Sequence, residues 1–133
     1  MMFNNELITI KKGGTFPLVQ YNLNDYMLKK YNITESMLQN VAVTFSMIND
    51  DGHYKVANQI ANLIINDGSY DELGECKYTL TFKLNEYQSN KPGRYYGEFV
   101  IDFLDDSSYK LKLPTTGYIN ILITDSITNT TVL

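Results

Sequence analysis

The chain has 133 residues, 44% of them hydrophobic and 20% charged, with a net charge of −4. That length suits one domain with a core of its own, and the composition excludes a disordered chain. Nucleic acid is disfavoured as a partner, because phosphate binding needs clustered cations and the only adjacent pairs are Lys11–Lys12 and Lys29–Lys30.

Residues 7–10 read as a short first strand, broken by Lys11, Lys12, Gly13 and Gly14. Residues 16–21 form a second extended piece. Pro17 lacks a ladder donor and places it at a sheet edge or a strand start. Residues 24–40 differ in character. Asn24 caps a short helix over 25–31, with Leu23 and Leu28 at hydrophobic-staple positions. Thr34 caps a second helical turn, with Ile33 and Leu38 placed in the same way. Neither helix is long enough to stand alone, so both are expected over a sheet edge.

From residue 41 the period is two. Val41, Val43, Phe45 and Met47 alternate with Ala42, Thr44 and Ser46, and residues 49–52 make a turn. A return runs over 53–56 and 59–65, with Ala61, Leu63 and Ile65 on one face and a bulge expected near 57–58. After a polar loop over 67–75, Tyr78, Leu80, Phe82 and Leu84 alternate with Thr79, Thr81 and Lys83.

The last third holds three consecutive strands, 91–103, 109–113 and 118–123. Tyr95, Gly97, Phe99, Ile101 and Phe103 share a face opposite Glu98 and Asp102. Tyr109, Leu111 and Leu113 oppose Lys110 and Lys112, and Ile119, Ile121 and Ile123 share a face. The first and third of these strands are the most apolar and belong at the centre of a sheet. Pro92–Gly93 and residues 114–117 supply turn chemistry, and Gly93-Arg94-Tyr95 resembles the approach to a tyrosine corner. The tail over 126–133 is polar and expected to fray. The whole predicts a mainly β protein, an antiparallel immunoglobulin-like β-sandwich of 7–8 strands with a short helical insertion, forming one domain over 1–133.

No signal peptide is visible at the N-terminus, and no apolar run approaches the ~20 residues of a membrane helix. Cys76 is the single cysteine, so no internal disulfide forms, which fits a reducing site of synthesis. Asn32-Ile33-Thr34 and Asn129-Thr130-Thr131 match the glycosylation pattern, and without a secretion signal they are incidental.

The chemistry-bearing residues have simpler readings. His53, beside Asp50 and Asp51, reads as the polar tip of a hairpin, because zinc sites need three or four ligands. Residues 49–52 lack the alternate carboxylates and distal glutamate of a calcium loop. Cys76 has no activating cation beside it. Asp102, Asp105 and Asp106 suit turn and solvent-face positions better than a glycosidase pair. Residues 11–15 lack the order of a phosphate loop. No catalytic residue, cofactor or metal is therefore expected. Tyr54, Tyr70, Tyr87, Tyr96 and Tyr118 are candidates for exposure, where tyrosines stack on sugars or anchor interfaces.

Residues 8–13, residues 41–47 with the turn 49–52, Gly93-Arg94-Tyr95-Tyr96-Gly97-Glu98-Phe99 and the segment 114–119 occur in a familiar order. Together they resemble the N-terminal domain of phage baseplate upper proteins and related phage virion modules. The resemblance spans most of the chain, with Gly14 and the 24–40 segment as departures from the pattern. It implies a β-sandwich that docks virion proteins: an adaptor or decoration module in tail, baseplate, neck or head fibre, homo-oligomeric in assembly, made in the host cytoplasm and located in the virion. A carbohydrate-binding sandwich for host attachment is the alternative. An adaptor must present a surface that its fold does not need, and the 24–40 segment is the expected place. Tyr26, Met27, Tyr31 and Met37 are its candidate anchors, with Tyr70 on the 67–75 loop as a further one.

Overall fold

The computed structural model describes residues 7–66, 77–106 and 109–127. Among these residues the alternating runs form nine strands and two short helices. The strands are β1 (Ile8–Lys11), β2 (Val19–Leu23), β3 (Val41–Asn49), β4 (Tyr54–Ile60), β5 (Asn62–Ile65), β6 (Tyr78–Phe82), β7 (Gly93–Phe103), β8 (Lys110–Leu113) and β9 (Ile119–Thr124). The helices are α1 (Asp25–Lys30) and α2 (Glu35–Leu38). The larger sheet has the order β1–β9–β7–β3–β4, with β8 also against β7, and the smaller is β2–β6–β5. These two facing sheets, of six and three strands, make an immunoglobulin-like β-sandwich.

Strand β7 organises the larger sheet because it is long enough to serve two partners on one side. Its Gly93–Gly97 half pairs with β9 and residues 99–102 pair with β8. On its other side β3 runs antiparallel from Val41 opposite Phe103 to Asn49 opposite Tyr95. The two most apolar strands, β7 and β9, are thus both interior.

Three features depart from the expected pattern. The residues after the 49–52 turn do not make one return strand. They leave the larger sheet at Ile60, pass through buried Ala61 and continue as β5 in the smaller one, which raises the strand count to nine. Asn58, at φ 49°, forms the expected bulge, and the Ser46 hydroxyl fixes it by donating to Asn58 Oδ1 and accepting from Asn58 N. Strand β1 runs parallel to β9 although the other pairs are antiparallel. The third feature is the 85–90 turn. Asn85 Oδ1 accepts from Gln88 N and Gln88 Oε1 accepts from Asn85 N, a reciprocal box of the kind that opens helices. Gln88 and Ser89 are buried there. The Ser89 hydroxyl donates to the Gly14 carbonyl at 2.7 Å, and Gln88 Nε2 donates to Gln59 Oε1 at 2.9 Å.

The buried residues of the two inner faces form one continuous cluster. Phe45 stands at its middle, stacked on Phe82 at 4.8 Å between centroids and tilted against Phe99 at 4.9 Å. Each such side chain contributes about 1.5–3 kcal/mol by burial, and each ring pair about 0.5–1.5 kcal/mol more. Tyr95 closes one end of the cluster. Its ring is buried and its hydroxyl donates to the Lys91 carbonyl at 2.7 Å, which completes the tyrosine corner. In disulfide-bonded immunoglobulin domains a cysteine follows that tyrosine by two residues. Here the position is Gly97, and a Cβ on it would lie 2.8 Å from the Phe45 ring. The aromatic ring takes the space of the bridge.

Candidate functional site

The 24–40 segment carries the chain from the smaller sheet to the larger one, and local chemistry sets its path. Asn24 Oδ1 accepts from Met27 N at 2.8 Å and starts α1. The helix ends in a Schellman motif: Ile33 N donates to the Leu28 carbonyl, Asn32 N donates to the Lys29 carbonyl, and Asn32 has φ 54°. Asparagine tolerates that left-handed conformation, so six residues suffice for a sharp stop. The motif aims Ile33 back toward the sandwich, where Leu28 and Ile33 both pack on the core. Thr34 Oγ1 then accepts from Met37 N at 3.3 Å and starts α2, which buries Leu38.

Three polar ties hold this segment against the sandwich. Asn40 Nδ2 donates to Asp105 Oδ1 at 2.8 Å while the Asn40 carbonyl accepts from Leu104 N. Tyr31 Oη donates to Thr115 Oγ1 at 3.4 Å. Lys77 pairs with Glu35, and that hydrogen bond holds the Glu35 carboxyl below its ordinary pKa. Burial, and then the nearby Tyr31 hydroxyl, push the Tyr21 phenol up.

Between these ties a groove of about 470 Å³ stays open. Tyr31, Ile33 and Met37 line it from the helical side, and Phe103, Tyr109 and Leu111 from the β7–β8 hairpin. Its floor is apolar and its rim carries Asn32 and Lys110, with Lys30 beside the Tyr31 ring. Lys110 is paired to Asp102 at 3.3 Å. Such a groove suits an aliphatic or aromatic side chain held by a few polar contacts at the edge.

The expected anchors divide accordingly. Tyr31 and Met37 line the groove. Tyr26 is 76% exposed on α1 and Met27 is half-buried against the core. Tyr70 and the 67–75 loop lie outside the described residues, as does the end of the tail from residue 128. The far wall of the groove was not legible in sequence. Phe103 and Leu111 read as ordinary strand alternation, and nothing local to them reports a helix more than 60 residues away.

A second feature lies on the outer face of the larger sheet. Tyr96 and Tyr118 meet edge to face at 6.0 Å, and the Tyr96 hydroxyl donates to Asp50 Oδ1 at 2.7 Å. That hydrogen bond raises the Tyr96 pKa. Tyr96 sits opposite Ile48, which sits opposite exposed Tyr54. Tyr87 stands apart from this row, under the Lys55 ammonium at 4.8 Å. His53 precedes β4, and among the described residues no three His, Cys, Asp or Glu side chains gather as for a metal ion. Among the same residues no helix is long and apolar enough to cross a membrane.

Compared with family models, with curated proteins and with solved structures, the chain gives no match.

Proposed function

We propose that the protein is a structural module of a phage virion, an adaptor or decoration that joins particle components by protein–protein contact through the groove beside the helical segment. The observation that carries this reading is that the 24–40 segment, although it packs Leu28, Ile33 and Leu38 on the core, does not close against the β7–β8 hairpin. Its ties at Asn40, Tyr31 and Glu35 hold Ile33 and Met37 away from Tyr109 and Leu111, leaving an ordered apolar slot, and Tyr26 stands exposed on the same segment. Ordered slots recognise a partner segment at a low entropic cost. The resemblance of the strand motifs to baseplate upper proteins supports the virion setting.

The test is co-expression of the tagged chain with the products of its neighbouring genes. A structural protein of the particle co-purifies with the parent chain. Tyr26→Ser with Tyr31→Ser abolishes that capture while leaving the melting temperature nearly unchanged. Capture that survives the double substitution rejects the groove, and a neighbourhood without particle genes rejects the virion setting.

A glycan-binding reading has its own observation, the row of Tyr118, Tyr96 and Tyr54 with Asp50 beside it. Aromatic rings flanked by a carboxylate suit a sugar's apolar face and its hydroxyls. Signal on a glycan array that disappears with Tyr118→Ala supports this second reading, and a blank array removes it.

A further inference from the structure

Sheet edges expose unpaired backbone groups and are normally blunted by charge, bulge or cover. Strand β1 ends in Lys11 with Lys12 next to it. Strand β4 carries Lys55 and the Asn58 bulge, and β8 carries Lys110 and Lys112. Strand β2 is buried along most of its length. The outer edge of β5 has none of these devices among the described residues. Residues 59–66 contain no charged side chain, Ile60 is 86% exposed, Ile64 41% and Ile65 64%.

The same stretch is chemically palindromic. Asn62-Leu63-Ile64-Ile65-Asn66 reads as amide, aliphatic, isoleucine, aliphatic, amide in both directions. In an antiparallel pair about a two-fold axis, opposed residues share a face, so the axis must pass through a residue. Placed at Ile64, it sets Ile64 against its own copy on the outer face. It sets Leu63 against Ile65 of the second copy on the inner face, and Asn62 against Asn66. Leu63 already packs on the core, so its pairing would extend that core over the exposed Ile65. The run carries no charge to repel a second copy of itself.

We propose that two copies of the chain associate through β5, edge to edge and antiparallel about a two-fold axis at Ile64, joining the two small sheets into one six-stranded sheet. This deepens the expectation of self-assembly and stands apart from the groove, so either surface can fail alone. Opposed residues in such a pair have Cα atoms roughly 4.5–5.5 Å apart, inside the range a disulfide spans. The full chain carrying Cys76→Ser and Ile64→Cys therefore cross-links to a dimer on oxidation, whereas Cys76→Ser with Tyr118→Cys does not. By sedimentation equilibrium the parent chain shows a monomer–dimer equilibrium. Ile64→Lys, which sets two ammonium groups face to face, weakens it by about a hundredfold or more with an unchanged circular dichroism spectrum. A chain that stays monomeric up to on the order of 1 mM, or a dimer that Ile64→Lys leaves intact and position 64 fails to cross-link, overturns the proposal.

Discussion

The Phe45–Gly97 centre and the helical end of the sandwich use the same residue types and reach opposite results. At the centre, rings from three strands pack together, and one of them, Phe45, leaves no room for a single Cβ on Gly97. At the helical end, Tyr31, Ile33 and Met37 face Tyr109 and Leu111 across about 470 Å³ of open space. The difference lies in how each side chain is delivered. Paired strands bring inner faces together in fixed register at every second residue, and density follows. Short capped helices are held by side-chain ties at a few points, and those ties set a spacing that the apolar residues cannot close. A surface that packing does not use is available for a partner.

The dense centre should not tolerate change. Phe99→Ala should cost about 3–5 kcal/mol in urea unfolding, because the buried ring leaves a cavity lined by Phe45. Gly97→Ala should cost about 1–3 kcal/mol by overpacking. Adding Phe45→Leu makes room for the new methyl, so the double variant should lose less than the sum of the two single changes. Additive losses would mean that the two positions do not compete for the same space.

The tyrosine corner gives a smaller effect with a pH signature. Tyr95→Phe should cost about 1–2 kcal/mol by leaving the Lys91 carbonyl without its donor. Burial holds the Tyr95 and Tyr21 hydroxyls above the ordinary tyrosine value. Ionisation is then harder in the folded chain than in the unfolded one. The stability these groups contribute is complete below about pH 10 and lost as the pH rises through their folded values. Tyr95→Phe should make that alkaline decline shallower; an unchanged slope would place its cause elsewhere.

The helical end should respond least. Tyr26→Ser with Tyr31→Ser should stay within about 1 kcal/mol of the parent, since both rings are more than a third exposed. Lys110→Ala should stay within about 0.5 kcal/mol, because its pair with Asp102 is solvent-exposed. A large loss in the Tyr26/Tyr31 variant would show that the segment serves to cover the core rather than to offer a surface.

Much of the fold was legible because strand alternation is a local property. The inner faces of β3, β7 and β9 follow from residue spacing, as do both helix caps at Asn24 and Thr34. The tyrosine corner was visible as Gly93-Arg94-Tyr95. The crossing at Ala61 was not, because a chain that changes sheets keeps the same alternation on both sides of the bend. Gln88 and Ser89 looked like loop residues, and only their partners Gly14 and Gln59 explain their burial.

The sequence alone determined the mainly β architecture, the position and caps of the helical segment, and which face of each long strand turns inward. These follow from the period of the side chains and from hydrogen bonds spanning three or four residues. Tertiary structure decided that β1 runs parallel to β9, that residues 54–65 divide between two sheets, and that Tyr31 and Met37 face Tyr109 and Leu111 across a groove. Each of these depends on contacts between residues far apart in the chain, and such contacts exist only once the sheets have closed on one another.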